Sequence, residues 1–132
     1  MSKRLMATPI PWNSWNNSWT TKYMSLQIKW TSIALQSLSD VFEYTFDMFG
    51  NKQLTKLRIK ISETTKVIST FPLAGKKEIE LSEQLQVHYR SIIVLKEIKL
   101  IYSCTSDTVF IEYVMNTRQD KDTIAHMLES TK

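Results

Sequence analysis

The chain has 132 residues, 42% hydrophobic and 23% charged, with a net charge of +4 and one cysteine, Cys104. That length can bury a core of its own as one domain, and a lone cysteine excludes an intramolecular disulfide and a multi-thiolate metal site. No run reaches the ~20 apolar residues of a membrane span, and Met1 to Trp12 holds no apolar stretch of the kind a secretory signal needs. An intracellular, reducing setting is therefore expected rather than secretion, with Asn16-Asn17-Ser18 a chance glycosylation sequon.

In chain order, residues 1–21 read as an extended arm and residues 22–132 as a single α+β globular domain. Pro9 and Pro11 hold the arm extended, and Trp12, Trp15 and Trp19 recur at i, i+3, i+7 in a segment otherwise polar. Residues 23–31 alternate as a half-buried strand, with Met24, Leu26, Ile28 and Trp30 inward. Residues 38–49 follow as a helix. Leu38, Val41, Phe42, Thr45 and Phe49 share its buried face, Ser37 or Ser39 caps it, Asp40 sits in its first turn and Gly50 ends it. Residues 54–62 alternate Leu57, Ile59, Ile61 against Lys56, Arg58, Lys60, which predicts a strand. A hairpin through Glu63-Thr64-Thr65 would join it to a second strand over 66–71. Residues 78–90 read either as one long strand or as a short strand with a helical turn from Ser82. Strands over 92–103 and 108–115 form a hairpin around Thr105-Ser106-Asp107. Its inward faces are Ile98, Leu100, Tyr102 and Cys104 on one strand and Val109, Ile111, Tyr113 and Met115 on the other. A helix over 119–130 closes the chain, with Ile124, Met127 and Leu128 on one side. The sum is a mostly antiparallel sheet of about six strands with two helices.

The residues do not point to an enzyme. Gly50 and Gly75 are too far apart for a phosphate-cradling loop. His88 and His126 stand alone, Asp120 and Asp122 diverge on a helix, and Cys104 falls on an inward strand register, where a thiol packs as a small hydrophobe. No catalytic residue, metal ligand or cofactor is expected. Charge is distributed unevenly: Lys52, Lys56, Arg58, Lys60, Lys66, Lys76 and Lys77 stand against Glu63 alone within 51–77, beside an acidic stretch with Asp40, Glu43 and Asp47. That basic set is a candidate anion-binding strip. It fits phosphate or lipid head groups better than bases, because no aromatic interleaves it. The arm residues Pro9, Pro11, Trp12, Trp15 and Trp19 are candidates for self-association or for docking on a partner, since indoles in a polar segment need apolar surface somewhere.

Several strings, in order, resemble the globular core of rhabdovirus-type matrix proteins. These are Ser37-Leu38-Ser39-Asp40-Val41 opening a helix that ends Met48-Phe49-Gly50, the basic stretch Leu57 to Ile61, Glu78-Ile79-Glu80-Leu81, and the run Leu95 to Tyr102. The resemblance covers residues 23–115. It departs at the N-terminus, where Pro9-Ile10-Pro11-Trp12 stands in place of a Pro-Pro-x-Tyr motif. It implies a viral structural or accessory protein that self-associates and lays its basic strip on an anionic membrane or a viral nucleoprotein, in the host cytoplasm, at the inner face of a membrane or in a virion. An adaptor holding a host protein through the tryptophan arm is the alternative, and a small nucleic-acid-binding domain a third.

Overall fold

The computed structural model describes residues 25–117 and 121–129. In chain order the elements are β1 (Gln27–Trp30), α1 (Ser32–Phe49), α2 (Asn51–Thr70), β2 (Lys76–Lys77), α3 (Ile79–Leu85), β3 (Arg90–Leu95), β4 (Ile98–Cys104), β5 (Thr108–Asn116) and α4 (Lys121–Glu129). The strands form one five-stranded sheet in the order β1-β5-β4-β3-β2. β1 runs parallel to β5, and the other pairs are antiparallel. The class is α+β as the sequence implies. The expected six strands and two helices are corrected to five strands, in a mixed sheet, and four helices among the described residues.

Successive β4 residues point to opposite faces, and both faces are covered. Leu100 and Tyr102 join a core with Val109, Ile111 and the helical residues Ala34, Val41, Leu57, Ile61 and Ile68. Ile101 turns the other way, to a second core with Tyr113, Met115, Leu81, Leu85, Ile124 and Leu128. So the α1/α2 hairpin lies on one face, and α3 and α4 lie on the other. Leu26, Ile28 and Trp30 pack against the first core as their alternation predicts.

Helix α1 begins earlier than expected, because Thr31 is its N-cap: the Thr31 Oγ1 accepts from the Ala34 N–H at 3.0 Å. Asp40 is therefore not in the first turn, and Ser37 is not a cap. Ser37 is buried inside the helix, where its Oγ donates to the Ala34 carbonyl and accepts from the Val114 N–H, both at 2.9 Å. β1 stops at Trp30, opposite Ile111, so the β5 edge beyond it meets α1 instead of a strand. There the Thr31 N–H donates to the Ile111 carbonyl at 3.1 Å, and Ser37 satisfies Val114. A backbone N–H and a hydroxyl of the α1 end thus close a strand edge whose buried backbone groups need partners.

The largest correction is α2. The two strands expected over 54–62 and 66–71 are one 20-residue helix. Leu54, Leu57, Ile61, Thr64 and Ile68 recur at i, i+3, i+7, i+10, i+14, the spacing of a helical stripe. Leu57, Ile61 and Ile68 are buried along it, whereas Ile59, which a strand would bury with them, is 54% exposed. The short alternation from Lys56 to Ile61 satisfies both periods, and only the longer window separates them. Gly50 makes the hairpin possible. It is at once the C-cap of α1 and the N-cap of α2, at φ 88° and ψ −178°, a region that is essentially glycine's alone.

The strand expected over 92–103 is two strands, β3 and β4, joined by a turn at Lys96 and Glu97 with Lys96 at φ 52°. Within the β4–β5 hairpin Ile101 pairs Tyr113 and Tyr102 pairs Ile111, which leaves Glu112 as an extra residue. This bulge switches the face that β5 side chains meet. Val109 and Ile111 enter the hairpin-side core, Tyr113 and Met115 the opposite one. Residues 78–90 contain the short helix α3 rather than a long strand. Ile124 and Leu128 of α4 are buried, as expected of its apolar side.

Candidate partner-binding surface

On α1, Leu35, Phe42, Phe46 and Phe49 fall at i, i+7, i+11 and i+14, close to one line along the helix. Phe42 is half-buried: it packs against the first core, and the Arg58 guanidinium of α2 lies 5.2 Å from its ring centroid. The other three face solvent: Leu35 is 53% exposed, Phe46 52% and Phe49 60%. Ile59 stands exposed on α2 beside Arg58. Sharing the line of Phe42, the α1 residues Leu35 and Phe46 border the groove between α1 and α2, and Phe49 borders a cleft with Thr45, Leu57, Leu95 and Ile98. Phe49, expected in the core, is corrected to surface: it is exposed at the mouth of that cleft, whose walls include Leu57 and Ile98.

The seven cations read as one strip are dispersed by the helical turn. Lys52, Lys56 and Lys60 form a row at i, i+4, i+8, with Lys60 3.7 Å from Glu63. Arg58 points to α1 and Phe42 instead. Lys66 lies one turn or more further along α2, and Lys76 and Lys77 form the edge strand β2. Pro9, Pro11, Trp12, Trp15 and Trp19 lie outside the described residues, as do Tyr23, Met24 and Asp120.

At the far end of the sheet a cleft of about 630 Å³ opens between α3, the ends of β3 and β4, and the loop after α2; Leu73, Ile79, His88, Arg90 and Cys104 are among its lining residues. Two side chains hold that loop in place. The buried Tyr102 hydroxyl accepts from the Gly75 N–H and donates to the Pro72 carbonyl, each at 2.8 Å. Arg90 Nη1 donates to the Gly75 carbonyl at 2.8 Å. A Cβ at Gly75 would fall 2.6 Å from the Tyr102 hydroxyl and 2.7 Å from the Ser91 carbonyl, so only glycine fits. Burial raises the Tyr102 hydroxyl's pKa, and burial with the Glu112 carboxylate pushes Tyr89 up to about 12. Cys104 is exposed, which corrects its expected place in the core. It ends β4, where its side of the sheet borders the cleft rather than a helix. His88 shares the cleft, and His126 is exposed on α4. Among the described residues no three metal-ligating side chains come together, and no helix is long and apolar enough to cross a membrane.

No family model matches the chain, and no curated protein matches its sequence. A solved structure is similar in fold: a chain of the chromosomal ParDE TA (toxin–antitoxin) system from P. aeruginosa. It aligns with a TM-score of 0.56 over 70% of this chain and 97% of its own length, at 14% sequence identity. At that identity the likeness is one of fold. It overturns the resemblance to rhabdovirus-type matrix proteins, and with it the viral, virion and membrane-coat reading. The basic strand Leu57 to Ile61 on which that resemblance leaned is the middle of helix α2. The host-adaptor and nucleic-acid readings gain no support from the same comparison.

Proposed function

We propose that this chain works by binding protein, without a catalytic step of its own, as one component of a two-protein toxin–antitoxin pair. The observation that carries the reading is that the hairpin leaves Leu35, Phe46 and Phe49 of α1 and Ile59 of α2 exposed. Single exposed apolar residues are ordinary, but a group of them is a feature of interaction sites. Long helices leave it exposed although each aromatic can bury roughly 150–250 Å² against a partner. The fold likeness to a chain of a ParDE toxin–antitoxin system supplies the kind of partner, a second small protein.

Affinity purification of the tagged chain from its source cells, at native expression, tests this. A small protein should be recovered in stoichiometric complex. The double variant Phe46→Glu, Ile59→Glu should lose it without a fall in melting temperature, since neither side chain belongs to a core. Recovery of the chain alone, or a complex indifferent to the two substitutions, would refute the reading.

A further inference from the structure

Asp40, Glu43 and Asp47 form a row along α1, and Lys52, Lys56 and Lys60 a row along α2; all six are exposed. The Arg58–Phe42 contact fixes how the rows lie. Each helical residue turns by about 100°. Measured from Phe42, which faces α2, Glu43, Asp47 and Asp40 are roughly 100–160° round, on the flank of α1 away from α2. Measured from Arg58, which faces α1, Lys52, Lys56 and Lys60 are roughly 120–200° round, on the opposite flank of the hairpin. Leu35 and Phe46 of α1 and Ile59 of α2 lie exposed between them. The same contact sets the height of each residue in the antiparallel hairpin. With Phe42 level with Arg58, Asp40 is level with Lys60, Glu43 with Lys56, and Asp47 with Lys52.

We infer that this face takes a second copy of the chain, related by a two-fold axis running along the hairpin. Such an axis lays α1 of one molecule over α2 of its partner and preserves height. It closes these apolar residues on those of the partner and brings the acidic row of each molecule onto the basic row of the other: Asp40 to Lys60, Glu43 to Lys56, Asp47 to Lys52, in both directions. A two-fold interface must be self-complementary in this way. A two-fold axis across the hairpin would instead set acidic row on acidic row, which like-charge repulsion disfavours. Within one molecule the rows are on opposite flanks, and the cis pair Lys60–Glu63, exposed at 3.7 Å, holds little. The hairpin face is about 27 Å long and roughly 20 Å across, the scale of interfaces that bury ~800 Å² per partner. The inference uses the same face as the protein-binding reading: the dimer would cover it until a hetero-partner displaces the second copy.

Sedimentation velocity on the full chain reads the outcome. The purified protein should be a dimer whose association weakens with added salt, as screened charge pairs do. The acid-to-base variant Asp40→Lys, Glu43→Lys, Asp47→Lys and the base-to-acid variant Lys52→Glu, Lys56→Glu, Lys60→Glu should each be folded by circular dichroism. Each should dimerise at least about 100-fold more weakly. Mixed in equal amounts they should recover the dimer mass, because every pair is then opposite in charge again. That recovery also shows that neither variant lost its fold. A third variant, Phe46→Glu, should be monomeric with no change in charge rows. A monomeric parent at high micromolar concentration, charge variants that stay dimeric, or a mixture that stays monomeric would overturn the inference. Dimerisation of the chain alone is independent of any hetero-partner. A hetero-complex formed by a monomeric parent would sink the dimer and keep the protein-binding reading; a dimer from cells that yield no hetero-partner would do the reverse.

Discussion

On the hairpin side, the sheet is covered by helices of 18 and 20 residues whose buried side chains are aliphatic apart from Ser37 and Thr45. On the other side the covering helices have 7 and 9 residues, and a charged pair is buried beside them. Glu78, 4% exposed, accepts from the Ser91 hydroxyl at 2.5 Å and from Lys99 Nζ at 3.1 Å. The hairpin core spreads its stabilisation over many apolar contacts, each replaceable in part. The opposite side has an apolar core too, but it also holds a buried ion pair, where loss of a partner unbalances a buried charge.

The comparison breaks most visibly at Lys99. Lys99→Met removes the ammonium that lies 3.1 Å from the buried Glu78 carboxylate and should cost about 3–5 kcal/mol. Glu78→Gln combined with Lys99→Met should recover much of that loss, since no net charge then remains to be stranded. Urea denaturation of the parent, the single and the double variant measures both. A single variant within about 1 kcal/mol of the parent would mean the pair is solvated, and the two sides would not differ as described.

These features were unequally legible in the sequence. The strand at Leu26, Ile28 and Trp30 and the β4–β5 hairpin were visible because each is short, alternates, and is bounded by polar turn residues. Helix α2 was not visible as a helix. Isoleucine, valine and threonine are stiff, strand-favouring residues, and the alternation of Leu57, Ile59 and Ile61 with Lys56, Arg58 and Lys60 mimics a strand. The stripe from Leu54 to Ile68 carried the opposing signal, and neither glycine nor proline interrupts residues 51–71. The helical period also changes the site. Lys56, Arg58 and Lys60 share a face only at a period of two, so the strip dissolves once the period is 3.6. The rows along α1 were present in the spacing of Asp40, Glu43 and Asp47. Their significance depends on which flank faces α2, and a sequence carries no such direction. The Glu112 bulge left no local mark, as it arises from pairing between β4 and β5.

Gly50 sharpens the comparison from the hairpin's own side, because it is the one position there without redundancy. Gly50→Ala should destabilise by about 1–3 kcal/mol, the cost of placing a side chain in a glycine-only region of backbone space. No heavy atom lies within 4 Å of the added Cβ, so the cost is conformational and not steric. Gly50→Ser should then match Gly50→Ala in a thermal melt. A serine variant markedly worse than alanine would point to crowding at the hairpin tip instead.

The smallest effect is expected at Cys104, where two residues directly opposite each other differ in surroundings. Cys104 pairs Val109 in register, so both side chains emerge on the same face of the β4–β5 hairpin. Val109 is fully buried under the α1/α2 core, whereas Cys104 is exposed at the cleft. Burial rather than strand membership sets the value of a side chain. Val109→Ala should therefore cost on the order of 1–2 kcal/mol, the lower part of the range for truncated core side chains. Cys104→Ser should stay within about 0.5 kcal/mol, as surface substitutions do. A thiol reagent supplies the second readout. In the native protein Cys104 should react at a rate close to that of the same thiol in denaturant. A native rate slower by orders of magnitude, or a serine variant that loses more stability than the Val109 truncation, would place this thiol in the core and remove the contrast.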